Sequence, residues 1–431
     1  MEKIKIALTG DVLVTHYPPQ YQVLSEIKDF FLSHDCVIGN LETVVRKDEG
    51  FPEAFPGGGS VYCTPDCLGV LKDWGFDMFG TANNHSMDYG HGALLSTVRY
   101  LDEYGFKHAG TGANLAKASQ ACHYETAKGR VALISVTSSF HDSYLAGPQN
   151  EELCGRPGVS PLRHKALYEL PSEDFNHLSE IASKSGINSY HDQARKEGYL
   201  PSSENLKFGG FEFKEGKQYS VTTSPLQEDL ERSLNVVKES KADSDIVVVS
   251  IHSHQFKGDK ATAAEFIEKF ARQCCDEGAD VVFCHGPHVI RGIEAYHRSV
   301  IFYGMGNFVF QHEGMDYLPE ETYHKYGLKR NDVSGLSALF AKRSKNGTVG
   351  LKTQKDAWNS FVASLEIDDN EIDIQLLPIK IMQDEICKGY IGMPRFADDD
   401  DVLVRLNNMS DGYGTHIDID HNIGKIKIKR K

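Results

Sequence analysis

Several short apolar runs in this chain each stop at a cluster of polar, metal-loving residues, and this pattern constrains the fold more than any other feature. Ile4-Lys5-Ile6-Ala7-Leu8 alternates like a strand and breaks off at Thr9-Gly10-Asp11. Cys36-Val37-Ile38 leads into Gly39-Asn40-Leu41-Glu42, and residues 76–79 lead into Gly80-Thr81-Ala82-Asn83-Asn84-His85. Residues 246–251 stop at His252, and Val281-Val282-Phe283 stops at Cys284-His285-Gly286-Pro287-His288. Between these runs lie segments of helical spacing. Val23, Leu24, Ile27, Phe30 and Phe31 share one face, and Leu94, Leu95, Val98 and Leu101 share another. One helix is predicted to open at Thr64-Pro65 and stop at Gly75, and another to run over 226–238. A third opens with the capping-box pair Thr262 and Glu265 and closes near Gly278. Strand, polar loop and helix in repetition predict an α/β sheet with its site along the carboxyl ends of the strands.

The rhythm lapses between Thr137 and Thr223, a stretch too long to be a bare loop. It reads as an inserted subdomain or lid over 137–223, with a disordered segment as the other reading. After Asn331 the pattern turns strand-like over 336–342, 361–367 and 371–381, with Asp368-Asp369-Asn370 as the turn between the last two. The expected organisation is a core over 1–345 that carries the insertion. A β-rich extension over 346–431 would complete or flank a second sheet. At 431 residues the chain has room for one large domain with additions or for two domains.

Charge and cysteine usage narrow the function classes. With 46 basic against 61 acidic side chains the formal charge is -15, which repels polyanions, so nucleic acid is not an expected partner. The basic tail from Lys425 to Lys431 alternates with isoleucine and reads as an exposed strand with a solvated face. Nine cysteines without repeated spacing do not make a secreted disulfide framework and fit a reducing compartment. Cys63 and Cys67 lack a second pair and read as packing residues rather than zinc ligands. Residues 1–10 show no signal-peptide pattern, and no run reaches 18 apolar residues, so a cytoplasmic chain without a membrane span is expected.

The strand ends bring together carboxylate, amide and imidazole, the mixture that borderline divalent metals take. Each piece alone has an ordinary reading: a Gly-Asp turn, an Asn-Asn-His cap, a surface histidine. Their coincidence on one sheet edge points instead to a metal centre. The order of the pieces also resembles a known family. Leu8-Thr9-Gly10-Asp11, Gly39-Asn40-Leu41-Glu42, residues 82–90 around Asn83-Asn84-His85, His252, His285-Gly286-Pro287-His288-Val289 and Gly304-Met305-Gly306-Asn307-Phe308 look like successive motifs of CapA-type proteins. These belong to the poly-γ-glutamate-synthesis branch of the calcineurin-like metallophosphoesterases. Gly110-Thr111-Gly112-Ala113-Asn114-Leu115 and Leu376-Leu377-Pro378-Ile379-Lys380 resemble the same family.

The resemblance implies a four-layer α-β-β-α sandwich around one or two divalent ions, Mn, Fe or Zn. Carried over motif by motif, Asp11 and His288 bind one metal, Glu42 bridges, and Asn84, His252 and His285 bind the second. His85 is then not a ligand but stands beside the bridge, where it protonates the leaving group or stabilises charge on the transferred group. Where the wider superfamily has a histidine two residues after the aspartate, this chain has Leu13, so the first metal is short of a ligand. Either His16 or His254 compensates, or the site holds a single ion. Arg291, His254 and His141 are the candidates to meet an anionic substrate, Arg291 through its guanidinium fork. Asp88 reads as the N-cap of the following helix, and Asn40 and Asn83 as residues that orient loops.

Two cations roughly 3.5–4 Å apart lower the pKa of a shared water and stabilise both attacking and leaving oxygens. A histidine can then supply the proton. Metal-bound hydroxide attacks phosphorus or a carbonyl carbon, so a phosphoester and a γ-glutamyl-type amide both stand as the bond cleaved. The expected substrate is small and anionic or glutamyl-containing. The competing class is a non-catalytic metal-binding accessory protein for poly-γ-glutamate or capsule polymer synthesis. Leu13 favours that class, whereas His85 and the three later histidines favour an enzyme. No Gly-x-Ser-x-Gly elbow occurs at a strand end, which argues against a serine hydrolase.

Overall fold

The Val-rich run predicted around 246–251 is apolar on both faces, and a strand of that kind needs cover on both sides. It has that cover in the computed structural model, which describes residues 2–16, 24–315, 317–332, 336–383 and 391–430. The strand Ile246–His252 lies between Gly129–Thr137 and Val281–His285, parallel to both, in a six-stranded sheet. Val131, Leu133, Ile246, Val248, Val281 and Phe283 face a second sheet and pack against Ile4, Ile6 and Leu8. Their neighbours Ala132, Ile134, Val247 and Val249 point the other way, onto Val237, Phe266, Ile267 and Phe270. Those four belong to the helices Gln227–Asp243 and Glu265–Asp276.

The second sheet holds ten strands, with Ile4–Leu13 beside Cys36–Leu41, followed by Met78–Gly80 and Lys107–Ala109. Its outer face carries Ala7 and Val37, which pack under Phe31, Leu68, Leu71 and Trp74 of the helices Ser25–Leu32 and Asp66–Trp74. The architecture is therefore helix, sheet, sheet, helix: the four-layer sandwich that the resemblance implied. Val23, expected on the first of these helices, lies outside the described residues. The helix predicted to stop at Gly75 does so, with Gly75 at φ +104° closing it in the left-handed region.

Strand registers bring the polar ends level. Asp11 pairs with Asn40 and Asn40 with Gly80, while His252 pairs with both Thr137 and His285. Parallel strands in register put their carboxyl ends on one edge, so residues far apart in sequence share one surface.

Several expectations meet a different outcome. Residues 336–342, expected as a strand, form the helix Ser337–Arg343. Leu336, Leu339 and Phe340 follow helical i, i+3, i+4 spacing, and Leu339 and Phe340 pack against Met315, Leu318 and Tyr323. Thr262 and Glu265 form no capping box: Ala264 is the N-cap, and the Glu265 carboxylate accepts from the amide of Thr223. Of the residues after 345, the described strands lie in the ten-stranded sheet, where the extension was expected to complete or flank a second sheet. Asn359–Ile367 pairs antiparallel with Ile4–Leu13, and Glu371–Ile381 and Ile423–Lys429 extend that same sheet outward. Within the basic tail, Ile423–Lys429 is the expected one-sided strand, burying Ile426 and Ile428 while Lys425, Lys427 and Lys429 face solvent.

Residues 137–225 are ordered in two parts. The first threads under the site edge: Ser138 donates its amide to the carbonyl of His252, and Val159 and Tyr144 are buried against Met87 and Leu94. The second is a four-stranded sheet of Leu206–Phe208, Phe211–Gly216, His164–Pro171 and Ser220–Pro225, joined by the helices Ser172–Ser185 and Ser189–Lys196. His164 pairs with Pro225, so this small sheet leaves and rejoins the core at one point.

Candidate metal centre

Asp11 is fully buried, and its backbone amide donates to the carbonyl of Gly306 at 3.0 Å. A side chain on the preceding Gly10 would put Cβ 1.9 Å from that same oxygen, so only glycine lets the two strands close at this point. The Asp11 carboxylate accepts from the Asn40 side chain at 2.8 Å and from the amide of Gly286 at 2.9 Å, with His285 Nδ1 at 3.0 Å from Oδ1. Burial alone would raise its carboxyl, but the hydrogen bond with His285 and the adjacent imidazoles hold it below its ordinary value.

Glu42 is in the opposite situation. It is completely buried and neither carboxylate oxygen has a hydrogen-bond partner. Burial, together with the charges of Asp11 and Asp88, pushes its carboxyl well above the usual range. Around it, Nε2 of His252, Nε2 of His254 and Oδ1 of Asn84 are likewise buried and unpartnered. Burial and the neighbouring imidazoles keep His252 neutral, well below its ordinary pKa, and burial takes His254 down to about 3. Each orphaned atom can present a lone pair in one protonation or tautomer state, and leaving such atoms unmatched in a buried site is costly. A cation satisfies such a set, whereas a water has only two protons to give.

Three overlapping groups each bring three ligand atoms within 4.8 Å of one another: Asp11, His252 and His285; Glu42, His252 and His254; and Asp11, Glu42 and His288. This buried Asp/Glu/His cluster fits a metal ion. Outer partners fix the imidazoles. Ser250 Oγ lies 2.8 Å from His285 Nε2, and Asn307 Oδ1 lies 2.8 Å from His288 Nδ1. His288 sits at φ +59°, a strained backbone for a non-glycine residue, and Gly286 at φ +115° leaves no room for a side chain beside His252. Ser250 carried no signal in the sequence. Asn307 lay in a recognised motif, but its contact with His288 was not foreseeable.

His85 lies beside the cluster, with Nδ1 2.7 Å from Asp88 Oδ2. The expectation for Asp88 as an N-cap is corrected here. The next helix begins at Gly90, Tyr89 is its N-cap, and no side chain caps it. Asp88 instead accepts from the amides of Gly57 at 2.9 Å and Val61 at 2.8 Å, which aims its second oxygen at His85. Asn40 and Asn83 do orient loops: Asn83 donates to the carbonyl of Leu41 and accepts from the amide of His85.

The three substrate-binding candidates separate. His254 faces the cluster. Arg291 does not reach it: the guanidinium is buried and donates to the backbone carbonyls of Lys260 and Gln255. Loss of hydration takes it down to about 10, and its hydrogen bonds tie the loop after His252 in place. His141 stacks on Phe55 at 4.5 Å, away from the ligand atoms. His16 lies against Gln311 and Thr15 rather than in the ligand groups.

A cavity of about 550 Å³ opens onto the site and is lined there by Asn84, His85, His254 and His288. None of its described lining residues comes from 137–223. The small sheet should therefore be separable from the centre. Replacing residues 167–222 with a short Gly-Ser linker, which keeps the His164–Pro225 base and the Thr223 contacts to the Glu265–Asp276 helix, should leave metal content unchanged. Elemental analysis of the excised protein tests this, and loss of bound metal would make the small sheet a support of the site.

A family model described as bacterial capsule synthesis protein PGA_cap matches residues 5–312, a span that includes every ligand candidate above. The chain belongs to this family. An uncharacterized protein of Sinorhizobium fredii, y4sH, is 31% identical, over 97% of this chain and 92% of its own length. The PGA biosynthesis protein CapA of Bacillus subtilis is 23% identical, over 76% of this chain and 68% of its own length. A solved structure of a hypothetical protein from Thermus thermophilus is similar at a TM-score of 0.37 and 10% identity, covering 99% of this chain and all of that one.

Proposed function

We propose that this PGA_cap chain is a metal-dependent hydrolase acting on a phosphoester or on an amide bond of γ-glutamyl type. The observation that carries this reading is the convergence of buried, unpartnered ligand atoms from Glu42, His252, His254 and Asn84 beside Asp11. Asp11, Glu42, Asn84, His252, His285 and His288 would hold one or two ions of Mn, Fe or Zn, and His254 would supply the ligand missing at Leu13. When bound, the ions acidify a water and offset charge on the substrate.

The chain's own contribution is positioning and proton transfer. With Nδ1 tied to Asp88, His85 is left with Nε2 to meet a leaving group in the cavity. Leu13, Val61 and Phe310 on the cavity wall exclude water from that contact. The Bacillus subtilis relative, a PGA biosynthesis protein, supports the γ-glutamyl arm, and the mixed ligand set supports either.

A competing reading makes the chain a metal-holding accessory protein for capsule polymer synthesis, and one experiment separates the two. Protein prepared without chelator is expected to carry one or two Mn, Fe or Zn ions, and to turn over either phosphoesters or γ-glutamyl peptides in a screen of both. Bound metal with no turnover of either class would select the accessory role. Absence of metal, together with a melting temperature that no divalent ion raises, would end both readings.

A further inference from the structure

The cavity has two unlike ends. One is the metal centre. The other is a wall built from Leu318, Leu339, Phe340 and Leu351, contributed by the segment that follows the last ligand. Leu339 and Phe340 come from the helix Ser337–Arg343, whose apolar face is anchored on Met315, Leu318 and Tyr323. An apolar wall of this kind gains nothing from a charged ligand and loses the hydration of any charge pressed against it.

The charged side chains on the lining sharpen this. Among the described lining residues they are Glu53 and Glu321 against Lys325 and Arg343, two of each sign. Outside the metal centre, then, the cavity offers no net positive field. A polymer with a carboxylate on every residue would lay some of those charges beside Glu53, Glu321 and the leucines, with only Lys325 and Arg343 to offset them. The volume of about 550 Å³ suits one compact organic molecule.

Building on the reading of the centre as a seat for the anionic end of a ligand, we propose that this cavity selects an anionic ester of an aromatic or apolar alcohol. The charged head lies toward His85 and His288 and the ring lies against Phe340 and Leu339. An extended poly-γ-glutamate chain is not what this cavity holds.

Phenylphosphonate, methylphosphonate and tri-γ-glutamate, titrated calorimetrically into the Mn-loaded chain, read the preference directly. Burying one phenyl ring should make phenylphosphonate bind roughly ten- to a hundredfold tighter than methylphosphonate. Phe340→Ala should bring that ratio close to one without changing Mn stoichiometry. Because Phe340 is buried and its truncation can unsettle the fold, Leu351→Ser, at a half-buried position, provides a milder second variant with a smaller drop in the same ratio. Equal affinity for the two phosphonates, or tighter binding of tri-γ-glutamate, would overturn the proposal. The titration repeated on metal-free protein separates this from the metal reading. The apolar wall exists without the ion, so a retained phenyl preference there supports the proposal even if Mn fails to bind. Loss of the preference in both forms rejects it.

Discussion

Glu42→Gln is expected to yield a chain that no longer retains divalent metal yet melts higher than the parent when both are metal-free. The side chain is completely buried, both oxygens lack a donor, and Asp11 and Asp88 lie close enough to push its carboxyl well up. Glutamine keeps the shape, removes the charge conflict, and brings an amide donor to a pocket full of orphaned acceptors. An uncompensated buried charge costs up to several kcal/mol, so the metal-free melting point should rise by roughly 2–4 °C. Metal affinity should fall by more than the roughly 10–100-fold typical of losing an outer partner of a ligand. Asp11→Asn behaves differently, because Asp11 already accepts from Asn40 and Gly286 and has no such conflict to relieve. Elemental analysis and melting curves with and without chelator decide the matter. A Glu42→Gln chain that binds Mn like the parent, or that melts lower without it, would show that the carboxylate is not a ligand.

His85→Asn should retain metal and fold but lose turnover by roughly 10²–10⁴, the usual range for removing a general acid. Asp88 acts through His85, so Asp88→Asn should lower kcat rather than raise KM. It should also cost some stability, since Asp88 accepts from the amides of Gly57 and Val61. The double variant separates a shared role from two independent ones. If Asp88 only positions His85, His85→Asn with Asp88→Asn should be no slower than His85→Asn alone. Should His85→Asn lose metal as Glu42→Gln does, the proton-donor assignment fails. Multiplicative losses in the double variant would give Asp88 a role of its own.

The hydrophobic periodicity located the strands that carry Asp11, His252 and His285 because each of those runs is read locally, from side chains two residues apart, although the first runs on past Asp11 to Leu13. The same local reading placed Gly75 at a helix end and the turn at Asp368, whose carboxylate accepts from the amides of Asn370 and Glu371. It failed over 336–342, where a short apolar run fits either period. Packing against Met315, Leu318 and Tyr323 decided for helix.

Within the candidate site, the sequence by itself determined the kinds of group present: carboxylate, amide and imidazole at strand ends in a recognisable order. Only the tertiary structure decided what each does. Asp88 looks like a helix cap until the amides of Gly57 and Val61, about 30 residues earlier, each donate to one of its oxygens and hold Oδ2 against His85. Arg291 and His254 stood together as substrate-binding candidates. The loop carbonyls of Gln255 and Lys260 claim the first, and a lack of any donor leaves the second facing the cluster. A residue's chemistry is a property of its side chain and can be read one letter at a time. Whether its polar atoms are satisfied depends on partners as distant as Gly286 is from Asp11, 275 positions along the chain, and those partners exist only once the sheets have packed.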